Sequence, residues 1–240
     1  MTYKIVEIFT SIEGEGKRAG LPAIFVRLHG CNLNCTYCDT TYAMEGSYTE
    51  MTLAQIMDKL STSHIKRVTL TGGEPLTTPG VELLIEAMLN ANLEVNIETN
   101  GSVDISNLLK YENLFFTMDY KLPSSGMTEK MHLPNFPLLR PQDVLKFVVG
   151  SQEDLDEMLH FIRTQKKVAV PPLLLSEGSE NCNCNFLQPK NTAQACVGAV
   201  FSTFDKKNIV AFICENPELK DVKLQLQLHK YIWDPSERGV

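Results

Sequence analysis

The sequence predicts an α/β fold built on a parallel sheet, closed into a barrel or part of one. Three observations predict it. Strand-like and helix-like patterns alternate along the chain. At least five strand–helix units fall before residue 170. The chemically interesting residues collect where strand patterns end. Strands alternating with helices pair in parallel through right-handed crossovers, and such folds gather their chemistry at the C-terminal strand ends.

Taken in order, Ile5 to Phe9 and Ala23 to Leu28 are β-rich runs. Thr52 caps a helix, with Gln55 three residues on completing a capping box and Leu53, Ile56, Met57 and Leu60 following at helical spacing. Arg67 to Thr71 reads as a buried strand that ends in Gly72-Gly73. A helix starts near Gly80, with Val81, Leu84, Ile85 and Met88 on one face. Glu94 to Glu98, Leu114 to Met118 and Val144 to Val149 are further strands, and Glu153 to Gln165 is a helix. Lys121 to Gln142 holds four prolines and reads as a long loop; Leu173 to Ala193 is also irregular. Neither looks like a linker, so residues 1–240 are expected to form a single domain.

With 240 residues, 43% hydrophobic and 21% charged, the chain can bury a substantial core. Lys+Arg is 22 against 29 Asp+Glu, a formal charge of −7, which argues against a basic nucleic-acid footprint. No uncharged apolar run approaches the roughly 20 residues of a membrane span. Glu7 interrupts the place where a signal-peptide core would run. A cytoplasmic protein is the expectation, with no membrane and no nucleic-acid partner.

The seven cysteines are Cys31, Cys35, Cys38, Cys182, Cys184, Cys196 and Cys214. An odd count without an export signal argues against a disulfide framework. Cys31, Cys35 and Cys38 follow the spacing C-x3-C-x2-C. A loop of that spacing wraps three thiolates around one face of a cubane. A [4Fe–4S] cluster usually takes four, so one iron stays open to a small molecule. A zinc site with His29 as fourth ligand competes on residue type. Cys182 and Cys184 read as free thiols, and Cys196 and Cys214, among apolar neighbours, read as core.

The triad, with an aromatic before its last cysteine, together with Gly72-Gly73-Glu74-Pro75 at a strand end, resembles the radical S-adenosylmethionine (SAM) superfamily. The resemblance implies a shortened partial (β/α) barrel. It also implies a [4Fe–4S] cluster whose open iron is chelated by SAM, and reductive cleavage of SAM to a 5′-deoxyadenosyl radical that abstracts hydrogen from a substrate. Glycines at a strand terminus suit this, because they let backbone approach a ligand closely.

Ser11-Ile12-Glu13-Gly14-Glu15-Gly16, Phe25-Val26-Arg27, Gly30-Cys31-Asn32-Leu33, Cys38-Asp39-Thr40-Thr41-Tyr42, Leu187-Gln188-Pro189 and Gln227-Leu228-His229-Lys230-Tyr231-Ile232 are, together, similar to the 7-carboxy-7-deazaguanine synthase family. That similarity spans nearly the whole chain. It implies a carbon–nitrogen lyase converting 6-carboxy-5,6,7,8-tetrahydropterin to 7-carboxy-7-deazaguanine, with ring contraction and loss of ammonia, in queuosine and 7-deazapurine synthesis. It further implies Mg²⁺, an electron donor such as flavodoxin or ferredoxin, and a homodimer.

Under this resemblance Cys31, Cys35 and Cys38 ligate the cluster and Thr40 contacts Mg²⁺ through its hydroxyl. Tyr37, Cys38, Asp39 and Gly73 contact SAM, as do Asp119, Tyr120 and Lys121, where the family commonly has Ser-Pro-Lys. Gln188, Pro189, Lys190 and Asn191 match a later SAM-contacting turn. Ile12, Glu13, Gly14, Arg27, Thr71 and His229 line the pterin pocket. Glu13 stands where the family commonly has Gln, and its carboxylate lacks the amide's NH2 donor. Arg27 suits a substrate carboxylate through its planar fork. The terminal carboxylate of Val240 folds back onto the amino-pyrimidinone edge.

Each residue alone has a plainer reading. Glu13 and Glu15 read as solvated turn residues, Arg27 as an outward strand charge, and His229 as an exposed strand-end residue. Thr40 and Thr71 read as ordinary turn or strand threonines, Glu98 as a cap, and Lys146 as either an inward charge near the cofactor or a simple edge residue. Two other functions stay open on the residues. One is a glycyl-radical activating enzyme, which needs a large protein partner; the other is a zinc-stabilised binding module.

Overall fold

In the computed structural model, residues 1–165, 173–175, 197–198, 204–234 and 237–240 are described, those at 173–175 and 197–198 by backbone alone. The strands are β1 (Thr2–Ile12), β2 (Pro22–Leu28), β3 (Thr49–Thr52), β4 (Arg67–Gly72), β5 (Glu94–Thr99), β6 (Leu114–Tyr120), β7 (Val144–Phe147), β8 (Leu173–Leu175), β9 (Val197–Gly198) and β10 (Lys223–Leu224). The helices are α1 (Tyr42–Glu45), α2 (Leu53–Ser61), α3 (Val81–Asn90), α4 (Gln152–Thr164), α5 (Lys206–Glu215) and α6 (His229–Ile232).

One sheet joins all ten strands in the order β10-β8-β7-β6-β5-β4-β2-β1-β3, with β9 on β8. From β2 to β8 the pairing is parallel. That parallel-rich α/β sheet is the expected partial barrel. Two features depart from a uniform strand–helix alternation. The first strand pairs antiparallel with β2 and β3, because the short 13–21 loop returns the chain directly. The crossovers β5→β6 and β6→β7 carry only 3-10 turns, at Ser106–Leu108, Pro123–Ser125, Thr128–Lys130 and Leu133–Leu138. Prolines at helix-breaking intervals explain the second of these.

The long crossover helices form where the apolar spacing is helical. Thr52 caps α2 with the reciprocal Gln55 capping box. Ser151 caps α4 by accepting from the Asp154 amide. Their inward faces pack on the sheet through Ile56 and Leu60 of α2, Leu84, Ile85 and Met88 of α3, and Leu155, Met158 and Phe161 of α4. Truncating one such buried aliphatic to alanine typically costs about 2–5 kcal/mol. The helix layer on one side of the sheet frees the other side to line a cavity. Cys214 is exposed rather than core. The buried stripe of α5 runs through Ile209 with Phe212 and Ile213 beside it, and Cys214 falls one step past it. Cys182, Cys184 and Cys196 lie outside the described residues.

Candidate active site

A cavity of about 510 Å³ opens on the C-terminal side of the parallel strands. Cys31, Cys35 and Cys38 line one part of it, all half-buried and free. Their loop is fixed from two directions. Gly30 donates to the Ala43 carbonyl and accepts from the Glu74 amide, each at 2.8 Å, and the Thr36 amide donates to the Ser125 carbonyl at 3.1 Å. Gly73 packs directly on the loop. A Cβ there would lie 2.2 Å from the Gly30 oxygen and 2.7 Å from Cys31 Cβ, so only glycine allows the approach. The Cys31 sulfur accepts from the Leu33 amide at 3.4 Å and from Asn100 Nδ2 at 3.7 Å.

Glu74 ties this turn to the next strand end. Its carboxylate accepts from the Leu76 amide at 3.0 Å, the Thr99 hydroxyl at 3.0 Å and the Asn100 amide at 2.6 Å. Burial pushes its carboxyl up to about 7, against the pull of those donors.

The middle of the cavity is a belt of buried charge set by sheet register. Asp119 on β6 is opposite Lys146 on β7. Lys146 Nζ lies 3.2 Å from Glu15 and 3.3 Å from Asp119, which also pairs with Lys121 at 2.7 Å. Burial is the largest influence and disfavours both ammonium groups, but Asp119 together with Tyr37 and Cys35 at Lys121, and with Glu15 and Glu98 at Lys146, outweighs it and both stay charged. Glu98 accepts from the Thr71 hydroxyl at 2.7 Å. Burial pushes the Glu98 carboxyl up, with Lys146 opposing.

On β2, Arg27 faces Glu7 of β1 in register, its Nε donating to Glu7 at 2.7 Å. Tyr42 donates to the same carboxylate oxygen at 3.0 Å. His229 packs on the 13–21 loop so closely that a Cβ at Gly14 would meet Nδ1 at 2.1 Å. Burial lowers its pKa, so the imidazole is neutral near pH 7. Lys230 pairs with Asp39 at 3.1 Å, the Thr40 hydroxyl donates to Asp39 at 2.9 Å, and the Arg238 guanidinium sits 4.2 Å over the Tyr42 ring.

Residues 25–124 match the Radical SAM superfamily. The 7-carboxy-7-deazaguanine synthase of Clostridium acetobutylicum is 43% identical over 100% of both chains. That of Chlorobaculum tepidum is 34% identical over 98% of this chain and 96% of its own. The chain belongs to the 7-carboxy-7-deazaguanine synthase family. Its fold is also that of the crystal structure of QueE from Escherichia coli, with a TM-score of 0.62, 19% identity, and 95% of this chain and 94% of that one covered.

As a radical SAM family, the synthases imply a [4Fe–4S] cluster and SAM, and the residues here fit both. Three free thiols face one cavity. Among the described residues no group of ligands is placed to hold a single metal ion. His29, the candidate fourth zinc ligand, lies against the Tyr48 ring at 4.6 Å and away from the cavity lining. Gly73 lines the same cavity with its backbone against Gly30 and Cys31, leaving room for a ligand beside the thiols. The Tyr37 hydroxyl is buried on the cavity without a partner among the described residues.

Most of the residues that the sequence singles out converge here. Tyr37, Asp39, Thr40 and Gly73 line the cavity with the cysteines, and so do Asp119 and Lys121. Ile12, Gly14, Arg27, Thr71, His229 and Val240 line it too. Two do not. Tyr120 points to the other face of β6, into the rings of Phe136, Phe147 and Phe161, with its hydroxyl on Glu157 at 2.7 Å. Strand alternation forbids it from sharing a face with Asp119. Glu13 is 2% exposed beneath the strands, accepts from the Thr69 hydroxyl, and borders a separate small cleft. Gln188, Pro189, Lys190 and Asn191 lie outside the described residues. Sequence reasoning missed Gln227 and Lys230 as cavity residues and left Glu15 and Glu98 to plainer readings, while for Lys146 it held an inward charge near the cofactor beside an edge position. The only available signal was a lysine inside an otherwise apolar strand, Lys146.

Proposed function

We propose that this chain converts 6-carboxy-5,6,7,8-tetrahydropterin to 7-carboxy-7-deazaguanine, contracting the ring and releasing ammonia. The observation that carries the reading is the joint lining of one cavity by the cysteine trio and by Arg27, Thr71 and His229. A cluster–SAM pair, when bound, supplies a carbon radical able to abstract hydrogen. The chain's own residues bind and orient around it.

Cys31, Cys35 and Cys38 hold the cluster. Gly73, Tyr37, Asp39, Asp119 and Lys121 border SAM, and Gln188, Pro189, Lys190 and Asn191 contribute further contacts. Arg27 takes the substrate carboxylate; Glu7 occupies its Nε, which leaves the terminal nitrogens to make the bidentate pair. Thr71, held by Glu98, and neutral His229 offer hydrogen-bonding groups to the ring. The terminal carboxylate of Val240 meets the amino-pyrimidinone edge in charge-assisted hydrogen bonds. Thr40, beside Asp39, contributes an oxygen to Mg²⁺, which keeps most of its waters. An electron donor such as flavodoxin or ferredoxin, a homodimeric assembly, a cytoplasmic setting and a single domain over 1–240 complete the proposal.

The test is anaerobic reconstitution with iron, sulfide, SAM, a reductant and the carboxy-tetrahydropterin. Product formation together with 5′-deoxyadenosine is expected. Protein that carries a complete cluster yet neither binds the pterin nor forms product overturns the reading.

A further inference from the structure

Three buried carboxylate or amide oxygens on the cavity have no hydrogen-bond donor among the described residues: Oε1 of Gln227, Oε2 of Glu15 and Oδ1 of Asp119. Glu15 Oε2 and Asp119 Oδ1 have the charge of Lys146 at 3.2 and 3.3 Å. Gln227 Oε1 has nothing, although the residue is only 5% exposed.

The orientation of the Gln227 amide is fixed. Its Nε2 donates to Glu15 Oε1. A flipped amide would set two acceptors against each other, so Oε1 must be the atom turned away from Glu15. The backbone around it is also pinned, because the Leu228 amide donates to the Gly14 carbonyl at 3.0 Å and the Lys230 amide to the Gln227 carbonyl at 3.0 Å. An acceptor buried without a partner is costly to a folded protein, and one on a ligand cavity is satisfied when the ligand brings an N–H.

Gln227 and Arg27 line the same cavity. A pterin whose carboxylate is held by Arg27 therefore has its ring N–H groups left to meet Gln227.

We propose that Gln227 is a specificity residue: its Oε1, beside Glu15, accepts an N–H from the exocyclic amine of the substrate's amino-pyrimidinone edge. This rests on the pterin reading above. The consequence is selection of amino over oxo at that ring position, since a ligand oxygen there would face two acceptors. A site built to hydrogen-bond one group rejects the analogue that lacks it.

The experiment compares 6-carboxy-5,6,7,8-tetrahydropterin with its analogue bearing oxygen in place of the exocyclic amine. Equilibrium binding is measured anaerobically on the cluster-loaded, SAM-bound protein, for the natural chain, Gln227→Met and Gln227→Asn. The natural chain should prefer the amine by about tenfold or more. Both variants should shrink that preference to within about threefold, with SAM affinity and iron content unchanged. Gln227→Asn keeps an amide in place should the methionine variant not fold. An amine preference that survives in the folded variants overturns the role of Gln227 and leaves the pterin reading standing. A natural chain that binds neither compound overturns both.

Discussion

The turn around Glu74 and the belt around Lys146 hide charge in opposite ways. At Glu74 a single carboxylate is surrounded by two main-chain amides and a threonine hydroxyl, all from the elements it joins. Around Lys146 no main-chain donor is involved among the described residues; Glu15, Asp119 and Lys121 are held by charges on β6, β7 and two loops. The first arrangement locks local geometry beside the cysteine loop. The second depends on the whole set being present, and it leaves atoms such as Gln227 Oε1 on the cavity without a donor among the described residues. Rigid main-chain satisfaction lies beside the cysteine loop, and exchangeable side-chain satisfaction in the middle of the cavity.

Lys146→Met should break the contrast most visibly. It leaves Glu15, Asp119 and Glu98 without their shared cation, and removing one partner of a buried set typically costs about 3–5 kcal/mol. A fall in melting temperature at pH 7 that shrinks towards acid pH, as the Glu98 carboxyl that burial already pushes up takes a proton, is expected. A loss below about 1 kcal/mol would mean that the belt is solvated rather than buried.

Glu13 is intermediate, with one hydroxyl donor and no main-chain donor. Burial first, and Glu98 second, push its carboxyl from 4.5 up to about 7. The folded protein thus keeps a proton that the unfolded chain has released. The stability linked to that proton is complete below pH 4.5 and is lost as pH rises through about 7. Glu13→Gln should flatten the melting temperature against pH over that window. It should be worth about 3 kcal/mol at most at pH 8. An unchanged pH profile would remove Glu13 from the comparison.

Glu74→Gln sharpens the other side. It replaces one carboxylate oxygen by a donor facing other donors, at a cost of about 2 kcal/mol. Hydrogen exchange at the Leu76 and Asn100 amides should quicken while exchange along β7 stays the same. Arg163→Ala gives the baseline: its pair with Glu218, at 2.9 Å, is solvent-exposed, and its loss should change stability by about 0.5 kcal/mol or less.

What was legible in the sequence follows the same division. The cysteine loop and Gly73 could be read because their chemistry needs fixed spacing within a few residues. Strand and helix positions from β2 to α4 could be read because their apolar periods are regular. Tyr120 was misplaced because adjacent strand residues face opposite ways, and a segment match carries no face. The pairing of Lys146 with Glu15 hid because neither neighbourhood reveals a partner on another element. Gln227 reaches Glu15 across 212 positions of sequence, a separation that no local pattern encodes.

The half-exposure of Cys31, Cys35 and Cys38 has a consequence for access. Their loop is tied to Ala43, Glu74 and Ser125 through main-chain bonds. The three sulfurs therefore stand within reach of solvent on a loop whose course is set by neighbouring backbone rather than by the cysteine side chains.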